Sequence, residues 1–342
     1  MNKDFIIHIS DELKHNKDVD LEYQINETQY KVKFLATDIN NGINIASILA
    51  IPLAEDVNDQ IIVESNNLES ENFQEIIEQG MQTGLRLANL TSNLPAPIVI
   101  PLIPSYKNYP YLQQLSKECF NISNDDKNYR IDEQVVKIIN KAKTIIEEEN
   151  GLVVKDKIFL NGYSSSGVFA QRFALLHPDI VENACIGGAS GSIPIPTDDF
   201  VYPLGIADYE SLTGKKFDLE SYSNIKFRYY VGEFETQNKS DSRVDDFGHP
   251  APMHDMSYFN RSVPTEVGKY QRMTLGTEMF TRAENTIKIL KSMGIDISHQ
   301  IIWGRSHNNR SGIGVNELGD KFINDTYNST IENENINLRI AK

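Results

Sequence analysis

From residue 60 onward the chain alternates short apolar runs with longer stretches of helical period, and few architectures accept that rhythm. Residues 60–64, 97–103, 157–161, 184–186, 225–231 and 300–303 read as strands, the first of them apolar like a buried parallel strand. Between them lie helices. One opens at Ser70 or Glu71 and carries Phe73, Ile76, Ile77, Met81 and Leu85 on one face. A second, over 130–150, spaces Val135, Ile138, Ile139, Ala142, Ile145 and Ile146 in the same way and closes on Asn150-Gly151. A third runs to Leu176 and stops at His177-Pro178, and a long one is expected over about 266–293. Strands that alternate with helices build a mainly parallel sheet covered on both faces. Upstream, Tyr23, Ile25, Tyr30, Val32 and Phe34 alternate as a hairpin turning near Asn26-Glu27, followed by a strand over 44–52. The expected class is α/β, with antiparallel strands ahead of the parallel sheet.

With 342 residues the chain can bury a substantial core. Residues 1–20 are polar and show no clear period. Residues 21–326 are expected to form a single α/β domain, with a polar, proline-containing, lid-like insertion at about 236–265, and 327–342 is a tail rich in Asn and Glu. Acidic residues number 48 and basic ones 33, a net charge of −15 that disfavours nucleic acid and anionic membrane as partners. Two cysteines, Cys119 and Cys185, supply neither a disulfide framework nor a thiolate metal site. No basic start leads into an apolar core, and no run reaches the length of a membrane span, so the expected location is cytoplasmic. The sequence carries nothing that bears on oligomeric state.

The chemistry concentrates in Lys157-Ile158-Phe159-Leu160-Asn161-Gly162-Tyr163-Ser164-Ser165-Ser166-Gly167. An apolar run breaks on a glycine, turns through the serines and leaves as a helix. That is the layout of a nucleophile elbow, which lifts one serine hydroxyl, here Ser164, above the sheet edge. Gly162 leaves room for the turn and Gly167 lets helix and strand approach closely. The pattern departs from G-x-S-x-G at Ser166, with the second glycine one place late. The helix's first N–H groups, Ser165 foremost, point to where an oxyanion would develop.

Ligands in open α/β sheets gather beyond the carboxyl ends of the strands. After 229–231 comes Gly232-Glu233-Phe234-Glu235, and after 301–303 comes Gly304-Arg305-Ser306-His307. Serine, carboxylate and histidine thus follow in chain order. Histidine removes the proton that makes a serine hydroxyl nucleophilic, and the carboxylate holds the imidazole in the useful tautomer. Glu233, Asp241, Asp245 and Asp246 are further carboxylates in reach of the same loop.

These motifs resemble the α/β-hydrolases, in particular their bacterial esterase and poly(3-hydroxybutyrate)-depolymerase-like branch. The resemblance spans about 45–309 and is strongest in 161–178 and 232–235. It implies Ser164 as nucleophile, His307 as base and Glu235 as the acid, three residues after the glycine closing its strand, where the family more often has Asp. It implies a carboxylic-ester hydrolase working through an acyl-enzyme, on a small-molecule ester, with no cofactor and no metal. The oxyanion hole would pair the Ser165 N–H with a donor from Asn66 or Asn67, in a loop that lacks the family's usual glycines. Ser105 and Tyr106 would line the entrance, and Met253, Met256, Tyr258 and Phe259 of the insertion would either close over the substrate or form a core of their own. His177 reads as a helix-end residue, His299 as one before the last strand and hence at its other end or within it, and His8 and His15 fall in the N-terminal segment. His249, His254, Asp245, Asp246 and Asp255 match no metal-site spacing. Two other readings stay open: an inactive binding protein on the same fold, or an acyltransferase or thioesterase using the same residues.

Overall fold

A computed structural model describes residues 3–67, 70–106, 112–232, 273–276, 279–302 and 327. Among them run nine strands in one sheet: β1 (Val19–Ile25), β2 (Thr28–Leu35), β3 (Ser47–Leu53), β4 (Ile62–Val63), β5 (Ile98–Pro101), β6 (Ile158–Tyr163), β7 (Val181–Gly187), β8 (Lys226–Gly232) and β9 (Ile297–Ile302). Their spatial order is β1-β2-β3-β5-β4-β6-β7-β8-β9. The pairs β1–β2, β2–β3 and β3–β5 are antiparallel, and every pair from β5 to β9 is parallel. The hairpin turns at Asn26, which adopts φ 51°, a left-handed value that asparagine tolerates better than most residues.

Side chains of successive strand residues point to opposite faces, and the two faces feed two cores. Leu49, Val99, Ile158, Leu160, Ala184 and Phe227 belong to one. On that side pack α4 (Ile131–Asn150), α5 (Ser165–Leu176) and α8 (Met279–Ser292), the last through Ala283, Ile287 and Leu290, with the short helices α3 (Glu118–Asn121), α6 (Tyr209–Thr213) and α7 (Leu219–Ser223) contributing Cys119, Tyr209 and Tyr222. Ile48, Ile98, Ile100, Phe159 and Cys185 belong to the other, under α1 (Lys3–Lys14) and α2 (Phe73–Leu90). The Asn72 side chain caps α2 by accepting from Gln74 N–H, and Gly151 at φ 66° ends α4. No helix among the described residues is long and apolar enough to cross a membrane.

Four details differ from the sequence reading. Residues within 1–20 form α1, whose Ile6, Ile9 and Leu13 are buried at helical spacing. The run 60–64 contributes only two ladder residues, Ile62 and Val63, although Glu64 N–H still donates to Val99 O at 3.2 Å. The long helix is not continuous, since Gly276 adopts φ 125° between the turn at 273–275 and α8. And β9 begins at Ile297, three residues ahead of the expected start, which settles His299 within the strand rather than at its end. Tyr327, at the start of the expected tail, is buried, with its ring against Phe159 and its hydroxyl donating to Leu94 O at 3.0 Å.

Candidate active site

One residue separates the end of β6 from the start of α5, and that residue is Ser164. Its backbone sits at φ 57°, ψ −116°, a region L-residues avoid at a cost of about 1–3 kcal/mol. The turn survives because its neighbours hold it on both sides. Ser164 N–H donates to Gly187 O at 2.9 Å, and Ser164 O accepts from Val168 N–H at 2.9 Å. The Ser164 hydroxyl takes no part in capping α5. The side chain is half-buried at the carboxyl edge of the sheet.

Steric demands at the two glycines are severe. A Cβ on Gly162 would lie 2.2 Å from Ser166 O, and one on Gly167 would lie 2.8 Å from Gly187 O. Both obstacles are backbone atoms, which cannot swing aside. The close approach of helix to strand therefore falls on Gly167, and position 166 is free to carry a side chain. Gly162→Ala is expected to lower stability by about 2–3 kcal/mol, read as a drop in the urea midpoint. A change below 0.5 kcal/mol would mean the turn can relax around the added methyl.

Ser166 uses that freedom. Its Oγ accepts from Tyr163 N–H at 2.9 Å and lies 3.0 Å from Tyr163 O and 3.3 Å from Glu64 Oε1, both acceptors for its proton. Its N–H donates to Asn67 Oδ1 at 3.1 Å. Glu64 itself is buried, and its Oε2 accepts from Arg86 of α2 at 2.6 Å and from Asn161 of β6 at 2.5 Å. Glu64 escaped the sequence reading. The signal available was a carboxylate closing an apolar strand next to the elbow strand.

The other face of the elbow meets the 3-10 turn Leu112–Gln114. Gln114 Nε2 donates to Ser165 Oγ at 2.9 Å and Gln113 Nε2 lies 3.5 Å from the same oxygen. Arg172, one face further along α5 and buried, donates to Gln114 O at 3.0 Å and ties that turn to the helix.

Asn66 and Asn67 occupy the loop after β4. The Asn66 amide is engaged with Ile103, donating to its O at 2.9 Å and accepting its N–H at 2.7 Å. Asn67 lies over the first turn of α5 through Ser166, while its own N–H donates to Gln79 Oε1 at 2.7 Å. Ser105 is buried, its N–H donating to Ser70 O at 3.0 Å. Tyr106 is half-buried, with Lys127 Nζ 5.3 Å from its ring centroid.

Glu235 and His307, together with Glu233 and the 236–265 insertion, lie outside the described residues. The strands that lead to them are described. Tyr163 pairs with Gly187, Gly187 with Tyr230, Tyr230 with Gln300, and Gly232 with Ile302. The chain therefore leaves β6, β8 and β9 at one edge, within two residues of a common level.

The four described histidines sit in other surroundings. His177 is buried, with Nε2 3.0 Å from Asp132 Oδ2, and Arg130 grips the same carboxylate through Nε at 2.9 Å and Nη2 at 2.7 Å. Burial alone would raise the Asp132 carboxyl, but the hydrogen bonds from Arg130 and His177 outweigh it and hold it well below the usual range. Asp132, Glu133 and His177 have the proximity of metal ligands, but the Arg130 guanidinium already bonds both carboxylates. His299 lies 3.5 Å from Ser190 Oγ, and burial, helped by Lys291, pushes it down to about 4. His8 is exposed on α1, and His15 Nδ1 lies 2.7 Å from Asp11 O at its end.

No family model and no curated protein matches the chain. Solved structures do. Poly(aspartic acid) hydrolase-1 from Sphingomonas sp. KT-1 is 15% identical over 89% of this chain and 97% of its own, with a TM-score of 0.48. S-formylglutathione hydrolase from Agrobacterium tumefaciens is 12% identical over 91% and 98%, with 0.47. The poly(3-hydroxybutyrate) depolymerase LpqC from Bordetella parapertussis is 12% identical over 94% and 91%, with 0.45. By its own strand order, its antiparallel leading strands and the strand–turn–helix at Ser164, this chain has the α/β-hydrolase fold.

Proposed function

We propose that the chain is a serine hydrolase of carboxylic esters and that Ser164 is its nucleophile. The observation that carries this reading is the backbone of Ser164, a serine held at φ 57°, ψ −116° at the carboxyl edge of a parallel sheet. Strain of this kind persists where the surrounding structure over-determines it, and such places are commonly sites of chemistry. Ser164 Oγ attacks the ester carbonyl while His307 takes its proton and passes it to the leaving alkoxide, and Glu235 orients the imidazole. The Ser165 N–H and the Asn67 side-chain amide, which lies over the same helix turn, stabilise the oxyanion. Water then attacks the acyl-enzyme, with His307 as base, and frees Ser164. The substrate is a small-molecule ester, and no cofactor enters.

A fluorophosphonate probe tests the nucleophile directly. Covalent labelling of the folded wild type, absent in Ser164→Ala, is the expected result. A folded protein that stays unlabelled would favour a binding role for the same fold. For the acid, Glu235→Gln is expected to lower turnover more than Glu233→Gln, and the reverse order would move the role to Glu233. Turnover that rises on adding alcohol or amine acceptors would identify an acyltransferase, and a panel of nitrophenyl esters beside thioesters sets the substrate class.

A further inference from the structure

We propose that Glu64 is a positioning residue, gripping the nucleophile elbow through Ser166. Its effect on turnover rests on the hydrolase reading above, and its effect on the elbow rests on the geometry alone.

Ser164 has no freedom of its own to choose its backbone angles. It is fixed by the residues on either side, Tyr163 at the end of β6 and Ser166 in the first turn of α5. The Ser166 hydroxyl joins these two, because it accepts the Tyr163 N–H and its proton is shared between Tyr163 O and Glu64 Oε1. A glycine at 166, as in G-x-S-x-G, would offer none of these bonds. The departure from that pattern is thus a handle, and Glu64 holds it.

Glu64 suits the task because it is itself immobilised. It is 3% exposed, and a buried carboxylate needs compensation. Arg86 and Asn161 both bond its Oε2, leaving Oε1 to Ser166. Arg86 belongs to α2 and Asn161 to β6, so the grip links the elbow to the helix layer on the opposite face of the sheet. These partners stand 22, 97 and 102 positions from Glu64 in the sequence, and only the fold assembles them. An ion pair that merely stabilised the fold would have no reason to involve Ser166.

Two variants separate these cases. Glu64→Asp keeps the charge and withdraws the carboxylate from Ser166 by one methylene, and Ser166→Gly removes the handle. Displacement of a reacting group by about 1 Å costs about 100-fold in rate, so each variant is expected to lower kcat about 10–100-fold on a nitrophenyl ester while KM stays within about threefold. Because both act on one contact, the double variant should be no slower than the slower single one. Hydrogen exchange of the peptide over 158–168 should quicken in Glu64→Asp and in Ser166→Gly, with other peptides unchanged.

Multiplicative kcat effects in the double variant, or unchanged exchange over 158–168, would each overturn the role. If Glu64→Asp does not fold, exchange in Ser166→Gly decides the matter. A wild type that neither turns over esters nor takes the fluorophosphonate label removes the hydrolase reading and leaves this inference to the exchange measurement alone.

Discussion

Ser164→Ala is expected to lower kcat/KM for a nitrophenyl ester by a factor on the order of 10⁴ or more, with the fold intact. The size follows from how the site works. Without the hydroxyl there is no acyl-enzyme, and what survives is the modest catalysis of a bound ester beside oxyanion donors and a base. Stability moves differently at the same position. Alanine inherits the φ 57° backbone and its strain, so the urea midpoint should scarcely change. Glycine accepts that conformation freely, so Ser164→Gly is expected to be equally inactive and more stable, by about 1 kcal/mol after its extra unfolded-state entropy is subtracted. Loss of activity with a gain in stability marks a residue kept for chemistry at the fold's expense. An active Ser164→Ala, or a Ser164→Gly less stable than the wild type, would contradict the site described above.

The largest stability effect is expected at Asp132, far from any proposed chemistry. Its buried carboxylate accepts from Arg130 and from His177, joining the start of α4 to the end of α5. Breaking a buried pair by removing one partner leaves the other charge uncompensated, which costs about 3–5 kcal/mol, so Asp132→Asn should lose that amount at neutral pH. The pH dependence has a definite sign. The folded-state pKa of Asp132 is depressed below the unfolded value near 3.8, so its contribution is fully present above that value. It is lost progressively as pH falls through 3.8 toward the lower folded value. Urea titrations should therefore show the gap between wild type and Asp132→Asn wide at pH 7 and narrowing below about pH 4. A gap that is small at pH 7, or that widens on acidification, would mean the carboxylate is not held as a charge. Activity per folded molecule should be nearly unchanged, because neither residue of the pair touches the elbow.

The amino-acid sequence alone was enough for those parts of the molecule whose physics is local. The alternation of strand and helix, the hairpin at Asn26-Glu27 and the elbow were legible because their requirements fall on neighbouring residues: a residue tolerant of positive φ, two glycines where backbones nearly touch, and apolar side chains at a regular period. Local patterning also had limits of its own. Ile6, Ile9 and Leu13 carry the period of the first helix, but its polar face dominates so short a segment and masks it. The apolar period runs on across Gly276 and suggests one long helix, because no periodicity reveals a φ of 125°.

What tertiary structure decided is which polar side chains find one another. Asn66 and Asn67 read as equivalent amides, yet Asn66 spends both ends of its amide on Ile103 while Asn67 lies over the elbow helix. His177 read as a helix end and proves to be a buried partner of Asp132, a residue 45 positions away. Glu64 read as the last residue of a strand, and only folding brings Arg86, Asn161 and Ser166 to it. Hydrophobic period is written into consecutive residues because each must face the same core. A hydrogen bond between distant elements leaves no such trace, since its partner is chosen by the packing of the whole sheet.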